Sequence, residues 1–495
     1  MNSSAYQTQP LSDDHVLDRR DFFGRVGGGL QGAALAWLLA RDSNLLAGEV
    51  VEQNMPPIDD ARPRASHFEP RAKAVIHLFM NGGPSQMDLF DPKPVLDKHH
   101  GEPYFDKIAG DVENIQNAGA LLRSPFKFAQ HGQSGLWVSD ALPHIARQAD
   151  NLALIRSMHT TNLTHEPALY LIQTGRMGPG HPSLGSWVVY GLGSENQNLP
   201  AYVVLDDPQG LPINGVENWQ AGFLPPTFQG TRFRSTGSPV LNLAPAVAEP
   251  EGVVTVERSL RSELDQRHQR IRAGQPRLAA RIASYELAAR MQMSATDALD
   301  LSQESAATLA LYGIGSEPTD SYGKRCLFAR RLVERGVRFV QLYINGQIWD
   351  NHTSLFTGLK SACDRTDLPV AGLLADLKQR GLFDSTLVVW GGEFGRLPIA
   401  QLPGDKNESQ AGRDHNKNAF CTWLAGAGVK EGVAHGATDE LGMAAAENPV
   451  SVPDWHATIL HLLGLKHDAL YFDQHGLREK LTSIFEARVV KEVLS

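Results

Sequence analysis

Short apolar segments alternate along the chain with helical patterns, and most of them end in a polar or glycine-rich loop. The five clearest segments are AVIHLFMNGG (74–83), NLALIRSM (151–158), AYVVLD (201–206), GVRFVQLYING (336–346) and STLVVWGGEFG (385–395). Between them, segments such as VAGLLADLKQRGL (370–382) place apolar residues at i, i+3, i+4 and i+7, the spacing of an amphipathic helix. Buried strands that alternate with such helices predict a mostly parallel α/β sheet covered by helices on both faces.

Two stretches depart from this alternation. Residues 205–250 are rich in Gly, Pro and Asn and show little periodicity, whereas residues 258–310 are densely charged and helical in pattern. Dense charge on a helix usually marks a face exposed to solvent, and a long aperiodic stretch is typical of an insertion near a binding site. We therefore predict one domain at 73–485 with a cap-like insertion at about 205–310.

The N-terminal segment has the pattern of an export signal. Arg19 and Arg20 precede two phenylalanines and a weakly apolar, Gly- and Ala-rich run at 26–40. This arrangement resembles a twin-arginine signal, which directs folded proteins out of the bacterial cytoplasm. We expect a signal segment at 1–47, a Pro-rich linker at 48–72, and a periplasmic or secreted protein. An amphipathic helix that follows a disordered tail is the alternative interpretation.

The composition limits the classes of partner. The chain has 495 residues, of which 42% are hydrophobic and 20% charged, and its net charge is −9. The chain has no basic block that would favour nucleic-acid binding, and no segment after the N-terminal run is apolar enough to span a membrane. The three cysteines lie far apart without a CxxC motif, which argues against a structural zinc site or a disulfide framework.

The polar residues that follow the predicted strands are the candidates for chemistry, because ligands of such sheets bind beyond the C-terminal strand ends. Asp350 and His352 are predicted to lie immediately after one strand, and Glu393 after another; His415 lies in the loop AGRDHNKNAF. A carboxylate and two imidazoles, from Asp350, His352 and His415, suit a borderline divalent metal such as zinc. We therefore expect these three side chains to converge on one point.

Three sequence strings resemble those of one bacterial family. FMNGGPSQMDLFDPKP, EFGRLP and GRDHN occur in that order, and they are similar to motifs of the domain of unknown function 1501 family, a sulfatase-like group within the alkaline phosphatase superfamily. The resemblance covers most of residues 73–466. It implies a three-layer α/β/α sandwich with a mostly parallel central sheet. It also implies a divalent metal ion, with zinc favoured and calcium or magnesium as alternatives.

The same resemblance assigns positions to the site. In the superfamily an aspartate follows the first strand, a nucleophile opens a helix, and further ligands follow later strands. The corresponding positions here hold Asn81, His165, the pair Glu393-Phe394, and His415. Asn81 replaces an anionic ligand and Phe394 removes another, so the resemblance implies an altered second metal site. Asn81, Glu393 and His165 are its candidate ligands, with Asp88 as a substitute for Asn81.

His165 occupies the position of the nucleophile. The stretch THEPALYLIQTGR (164–176) is similar to the sulfatase segment in which the nucleophile precedes Pro and a terminal Thr-Gly-Arg. Pro167 suits the first turn of a helix, so we expect His165 at the helix entrance. Histidine cannot become formylglycine, which disfavours ordinary sulfatase chemistry. We expect His165 to be a metal ligand, with a nucleophile or base as the alternative and a turn-capping residue as the non-functional interpretation.

The resemblance implies a metal-dependent hydrolase of phosphate or sulfate esters. Glu393 is expected to complete the second metal site or to act as general base, and Arg176, Arg396 and Arg413 are expected to clamp the anion. The substrate is then an anionic small molecule or a sulfated polysaccharide. The changes at three family positions support a second interpretation, a non-catalytic metal- or polysaccharide-binding envelope protein of the same fold.

Overall fold

The computed structural model describes residues 61–104, 109–235, 250–272, 276–404 and 407–495. These residues fall into two units. One unit contributes a single described helix, Glu251–Ile271, and the other contains the remaining described elements. The predicted signal segment at 1–47, and the predicted linker up to residue 60, lie outside the described residues.

The larger unit is built around one mixed sheet. In chain order, the described strands are Ala74–Phe79 (β1), Ala118–Leu121 (β2), Phe128–His131 (β3), Leu136–Ser139 (β4), Leu152–His159 (β5), Tyr202–Leu205 (β6), Thr231–Phe233 (β7), Phe339–Leu342 (β8), Thr386–Gly391 (β9), Gly395–Arg396 (β10), Ile399–Gln401 (β11), His415–Asn416 (β12), Phe420–Ala425 (β13), Val433–His435 (β14), Ala437–Thr438 (β15), Ala445–Glu447 (β16), Val450–Ser451 (β17), Phe472–Gln474 (β18) and Leu477–Glu479 (β19). Nine of them form the central sheet, in the order β14-β5-β13-β9-β1-β8-β6-β7, with β17 beside β5.

The sheet is mostly parallel. Strand β1 pairs in parallel with β8 and β9, whereas β13 runs antiparallel to both of its neighbours, β5 and β9. The five apolar segments picked out above coincide with β1, β5, β6, β8 and β9. The predicted α/β class is therefore confirmed. The apolar segment at 420–425, which forms β13, was not predicted as a strand.

The described helices are Gln86–Leu89 (α1), Pro94–Lys98 (α2), His165–Thr174 (α3), Leu184–Leu192 (α4), Glu251–Ile271 (α5), Pro276–Leu299 (α6), Ala306–Leu311 (α7), Asp320–Glu334 (α8), Leu355–Gln379 (α9) and Val452–Leu462 (α10). Residues 370–379 of the predicted amphipathic segment form the C-terminal part of α9, where Leu373, Leu374 and Leu377 are buried. No described helix is both long and apolar enough to cross a membrane.

Helices cover the central sheet on both faces because its strands are apolar on both faces. Along β1, Ile76 and Leu78 belong to the core that includes residues of α8 and α9, whereas Val75 and Phe79 belong to the core that includes residues of α3, α4 and α10. Successive residues of a strand point to opposite faces, so one continuous apolar run serves both cores. The result is the expected three-layer α/β/α arrangement.

The region predicted to form a cap contains part of the sheet itself. Thr231–Phe233 forms β7 at the sheet edge, in parallel with β6. The sequence of this strand is too short and too polar to stand out by periodicity. The predicted charged helices are present as α5 and α6. The boundaries of a cap-like insertion stay a prediction.

Candidate metal centre

The loops after β1 and β9 bring two candidate residues side by side. Asn81 lies two residues beyond β1 and Glu393 two residues beyond β9, and these strands are parallel neighbours. The backbone N–H of Gly82 donates a hydrogen bond to Glu393 Oε1 at 2.9 Å. Gly82 has φ of 115°, and a Cβ there would lie 2.7 Å from the backbone nitrogen of Asp350. Only glycine permits this close approach of the loop after β1 to the segment that carries Asp350.

Asp350 and His352 reach the site by a longer path than the sequence predicted. Strand β8 ends at Leu342 and a turn follows at 345–349, so the expectation that both residues lie immediately after a strand is wrong. Their segment is held instead by the loop before His415. Ser354 N donates to Gln410 O at 2.8 Å, and Arg413 N donates to Asn351 O at 3.0 Å. These backbone bonds bring together residues that are far apart in the chain.

The remaining two histidines lie on regular elements. His165 is the first residue of α3, after the N-cap Thr164, which confirms the predicted helix entrance. His415 opens the short strand β12, which pairs with β10 so that His415 lies opposite Arg396. Both side chains are buried, with 8% and 3% of their surfaces exposed, respectively.

Four side chains converge on one point. Ligand atoms of His165, Asp350, His352 and His415 all lie within 4.8 Å of one another. The carboxylate of Asp350 is central: His352 Nε2 lies 2.8 Å and His415 Nε2 3.2 Å from its Oδ1, and His165 Nε2 lies 3.3 Å from its Oδ2. The structure thus brings together Asp350, His352 and His415 as expected, and His165 with them.

Each of the three histidine rings is held from behind through Nδ1. The pairs are His165 with Glu393 Oε1 at 2.7 Å, His415 with Glu113 Oε2 at 2.5 Å, and His352 with Gln401 Oε1. Carboxylate and amide oxygens accept hydrogen bonds, so the bonds of His165 and His352 place a hydrogen on Nδ1 and direct Nε2 toward the shared point, whereas His415 Nδ1 makes a close ion-pair contact with Glu113. Metal-binding histidines in proteins have this arrangement, because the partner behind each ring fixes its orientation.

Glu113 and Gln401 were not predicted from the sequence. Glu113 lies between two short 3₁₀ turns, Ala109–Asp111 and Ile115–Asn117, in a segment without apolar periodicity. Gln401 is the last residue of β11, which pairs with β2 in a separate two-stranded sheet. Neither residue follows a strand of the central sheet, so the strand-end rule that selected the other candidates could not select them.

The charges around the cluster shift the pKa values of its members. Burial alone would raise the pKa of Asp350, but Arg396 and the three histidines hold it well below its usual range. Burial alone would lower the pKa of His165, but Asp350 and Glu393 outweigh it and raise that pKa to about 9. The carboxylate therefore stays ionised, and the imidazole carries a proton that a bound cation would displace.

The positions at which the resemblance places a second metal have changed chemistry. Asn81 is fully buried, and neither its Oδ1 nor its Nδ2 has a hydrogen-bond partner among the described residues; the same is true of Glu393 Oε2. Phe394 is also buried, and its ring centroid lies 4.8 Å from that of His165 and 4.5 Å from that of His415. An aromatic wall thus closes the cluster where a second ligand was expected.

The arginines expected to clamp an anion make other contacts. Arg396 is buried and donates to Asp350 Oδ1 at 2.6 Å and to backbone carbonyls, including Gly83 O at 2.9 Å. Arg413 is buried against Asp88, with Nε 2.7 Å from Oδ2. Asp88 therefore pairs with Arg413 and does not join the cluster as a substitute for Asn81. Arg176 pairs with Glu479 at 2.7 Å.

The four converging residues fit a divalent metal ion. Three imidazole nitrogens and one carboxylate form a donor set that suits zinc, and each ring is oriented by a partner on its far side. Calcium and magnesium prefer oxygen ligands and suit this set less well. The fold and this cluster define an α/β protein with a candidate metal centre at the C-terminal edge of its sheet.

The chain belongs to the family described as "Protein of unknown function (DUF1501)", whose sequence profile matches residues 72–494. No curated protein matches it in sequence. Among solved structures, it resembles the PsFucS1 sulfatase from Pseudoalteromonas sp., with a TM-score of 0.38, 12% identity, and coverage of 87% of this chain and 73% of that one. It also resembles a protein in the alkaline phosphatase superfamily from Vibrio parahaemolyticus, with a TM-score of 0.33, 10% identity, and coverage of 88% and 76%. A third is the lipoteichoic acid synthase LtaP from Listeria monocytogenes, with a TM-score of 0.33, 10% identity, and coverage of 80% and 73%.

Proposed function

We propose that this protein is a metal-dependent hydrolase of phosphate or sulfate esters, with one divalent ion held by His165, Asp350, His352 and His415. One observation carries the proposal. Ligand atoms of the four residues lie within 4.8 Å of one another, and the Nε2 atom of each imidazole lies within 3.3 Å of the Asp350 carboxylate, while each Nδ1 atom contacts a different partner. Because nitrogen donors dominate the set, we propose zinc over calcium or magnesium.

The ion and the protein side chains have different roles in the proposed reaction. A divalent ion in this position supplies Lewis acidity toward an ester oxygen. His165 directs Nε2 into the cluster while Nδ1 donates to Glu393, so we assign it the role of ligand and not of nucleophile. Glu393 is fully buried and holds both His165 and the backbone of Gly82, so we assign it a positioning role and not that of general base.

The order of the site residues along the chain supports an ester as substrate. By the resemblance of the sequence motifs, Asn81, His165, Asp350, Glu393 and His415 correspond to the positions that the alkaline phosphatase superfamily uses for its metal ligands and nucleophile. The proposed substrate is an anionic small molecule or a sulfated polysaccharide. This part of the proposal rests on the resemblance of sequence motifs.

The N-terminal sequence supports a location outside the cytoplasm. We propose export by the twin-arginine route, because Arg19 and Arg20 precede a weakly apolar, Gly- and Ala-rich run. Replacing both arginines by lysine should leave the precursor in the cytoplasm, as measured by cell fractionation. Normal export of that double variant would refute the route.

The function is tested by elemental analysis combined with an ester panel. The purified full chain should contain about one equivalent of a divalent metal and should hydrolyse 4-nitrophenyl esters of phosphate or sulfate. His165→Ala should lose metal and activity together, whereas His99→Ala, which changes an exposed histidine, should lose neither. Loss of activity with full metal content would instead assign His165 as nucleophile or base.

A non-catalytic binding protein is the second candidate function. The observation that favours it is the state of the expected anion clamps, since Arg396 and Arg413 are buried and bonded within the protein. Bound metal without turnover of any ester in the panel would select this function. Absence of a divalent metal from carefully purified protein would contradict the metal-dependent hydrolase and favour this second candidate.

A further inference from the structure

A cavity of about 720 Å³ adjoins the cluster, and its walls are acidic and amidic. Glu113 and Asp414 contribute carboxylates, and Asn114, Gln116 and Gln401 contribute amides. His352 and His415, two of the four proposed metal ligands, also line this cavity. None of the described residues that line it is a lysine or an arginine. A negatively charged substrate group in this cavity would therefore meet no cationic side chain from the described wall.

The cationic side chains near the cavity are committed to other partners. Arg396 bonds to Asp350, Arg413 is buried against Asp88, and Lys417 lies 3.4 Å from Asp111 Oδ1. With a divalent ion bound, that ion and Arg396 supply three positive charges. The four negative charges of Asp350, Glu393, Glu113 and Asp414 face them. The charges of these groups therefore sum to −1 before a substrate arrives.

Glu113 is the carboxylate of this set that lies nearest to solvent. Its side chain is 38% exposed, whereas that of Asp414 is 2% exposed. Its position is defined by contacts of its segment with the strand that carries His415: Glu113 Oε2 lies 2.5 Å from His415 Nδ1, and Asn114 N donates to Asp414 Oδ2 at 2.9 Å. A fixed charge at the cavity wall acts on every substrate that approaches the metal.

We infer that this cavity selects esters that carry one negative charge over those that carry two, and that Glu113 sets this preference. The inference rests on the proposed ester-hydrolase function and specifies its substrate class. Sulfate monoesters and phosphate diesters are monoanions, whereas phosphate monoesters are dianions above their second pKa, near 6. A dianion brings a second negative charge beside Glu113 and Asp414, and no described lysine or arginine of the wall compensates for it.

The test compares binding of methyl sulfate and methyl phosphate to the metal-loaded full chain at pH 8 by calorimetry. Glu113→Gln removes the charge and keeps a side chain of the same length and shape beside His415 Nδ1. Glu102→Gln is the matched control, because Glu102 is an exposed glutamate that pairs with His99 at 2.9 Å. Metal content of each variant is measured in parallel.

In the unchanged protein, methyl sulfate should bind more tightly than methyl phosphate. Glu113→Gln should narrow the ratio of the two dissociation constants by about tenfold, as one charge within several ångströms in a partly shielded site predicts. Glu102→Gln should leave the ratio unchanged. Equal or tighter binding of methyl phosphate to the unchanged protein would overturn the inference, as would an unaltered ratio in Glu113→Gln or failure to bind either probe.

Turnover separates this inference from the proposed function. If bis(4-nitrophenyl) phosphate and 4-nitrophenyl sulfate are hydrolysed faster than 4-nitrophenyl phosphate, both stand. If the dianionic phosphate monoester is the best substrate, the hydrolase stands and the charge preference falls. If no ester is hydrolysed but the binding ratio holds, the cavity has the inferred selectivity and the protein is a binding protein.

Discussion

Two groups of histidines in the same unit have opposite surroundings. At the edge of the sheet, His165 lies between the carboxylates of Asp350 and Glu393, which outweigh burial and raise its pKa to about 9. In the core, burial and the neighbouring ring of His456 lower the pKa of His77 to about 3, and burial lowers that of His456 to about 4. His165 therefore favours the protonated form of its imidazole, whereas His77 and His456 favour the neutral form.

The core histidines, His77 and His456, support the helix that carries His165. His77 Nδ1 lies 3.2 Å from Gln341 Nε2, which also donates to Gln173 Oε1 at 2.8 Å. His456 Nε2 lies 2.8 Å from the carbonyl oxygen of Ile172. Gln173 and Ile172 belong to α3, the helix that begins with His165. Neutral imidazoles and amides therefore contact the C-terminal part of this helix, whereas carboxylates surround His165 at its N-terminus and favour a bound cation there.

Acid should produce the largest difference between the core histidines and the site histidines, because it acts on stability through the buried neutral rings. The folded protein resists protonation of His77, whereas the unfolded chain accepts a proton below pH 6.5, so the contribution of His77 to the stability of the folded state is complete above pH 6.5 and is lost as the pH falls toward 3. The loss at pH 4 should be on the order of 3 kcal/mol from His77. Urea unfolding between pH 7 and pH 4 measures this loss of stability.

His77→Gln should flatten the pH dependence of stability, and His99→Gln, at the surface, should not. An equally steep loss in His77→Gln would contradict the assignment.

Removing the central carboxylate should abolish the cation site and leave the core group unaffected. Asp350→Asn removes the anionic ligand on which three Nε2 atoms converge. Metal affinity should fall more than 100-fold, since changes behind the ligands alone cost 10- to 100-fold. Competition with a chelating dye measures the affinity, and circular dichroism confirms folding. Asp97→Asn, at an exposed position, is the control. Unchanged affinity in Asp350→Asn would remove this residue from the site.

Glu393→Gln sharpens the distinction between ligand and positioning residue. Glu393 contacts His165 through Oε1 and has no described contact with the other cluster members. We expect a loss of metal affinity of about 10- to 100-fold, smaller than that of Asp350→Asn. The same dye competition compares the two variants directly. A loss as large as that of Asp350→Asn would instead assign Glu393 as a ligand.

Arg176→Ala should have the smallest effect. Arg176 pairs with Glu479, and its side chain is 29% exposed, so the loss of this pair should cost less than about 1 kcal/mol. Metal affinity and KM for an ester should stay within twofold of the unchanged protein, as measured by dye competition and steady-state kinetics. A KM increase of tenfold or more with normal folding would restore Arg176 as an anion clamp.

The fold could be predicted from the sequence because its strands are continuous apolar runs. β1 and β9 are fully buried, and each residue along them faces one of two helical layers. Such runs stand out without any knowledge of pairing. The antiparallel strand β13 and the edge strand β7 could not be placed in this way, because direction and edge position depend on partners that are distant in the chain.

The candidate metal ligands can be predicted from the sequence more readily than the residues that orient them. Asp350, His352, His415 and His165 are residue types that bind metals, at positions that lie near strand ends or a helix start. Whether they face one another depends on the contacts between the loops at 350–354 and 410–413. The sequence pattern suggested the members of the cluster, and the packing of the loops brought them together.

The state of each charge depends entirely on the folded chain. Arg396, Arg413 and Asp88 look from the sequence like free groups for an anion or a metal, yet Arg413 pairs with Asp88 across 325 residues and Arg396 with Asp350 across 46. Glu113 has no distinguishing signal in the sequence, yet it holds His415. A residue's type is local information, but the neutralisation of its charge is set by burial and by partners that meet only after folding, because electrostatic interactions act through space and not along the chain.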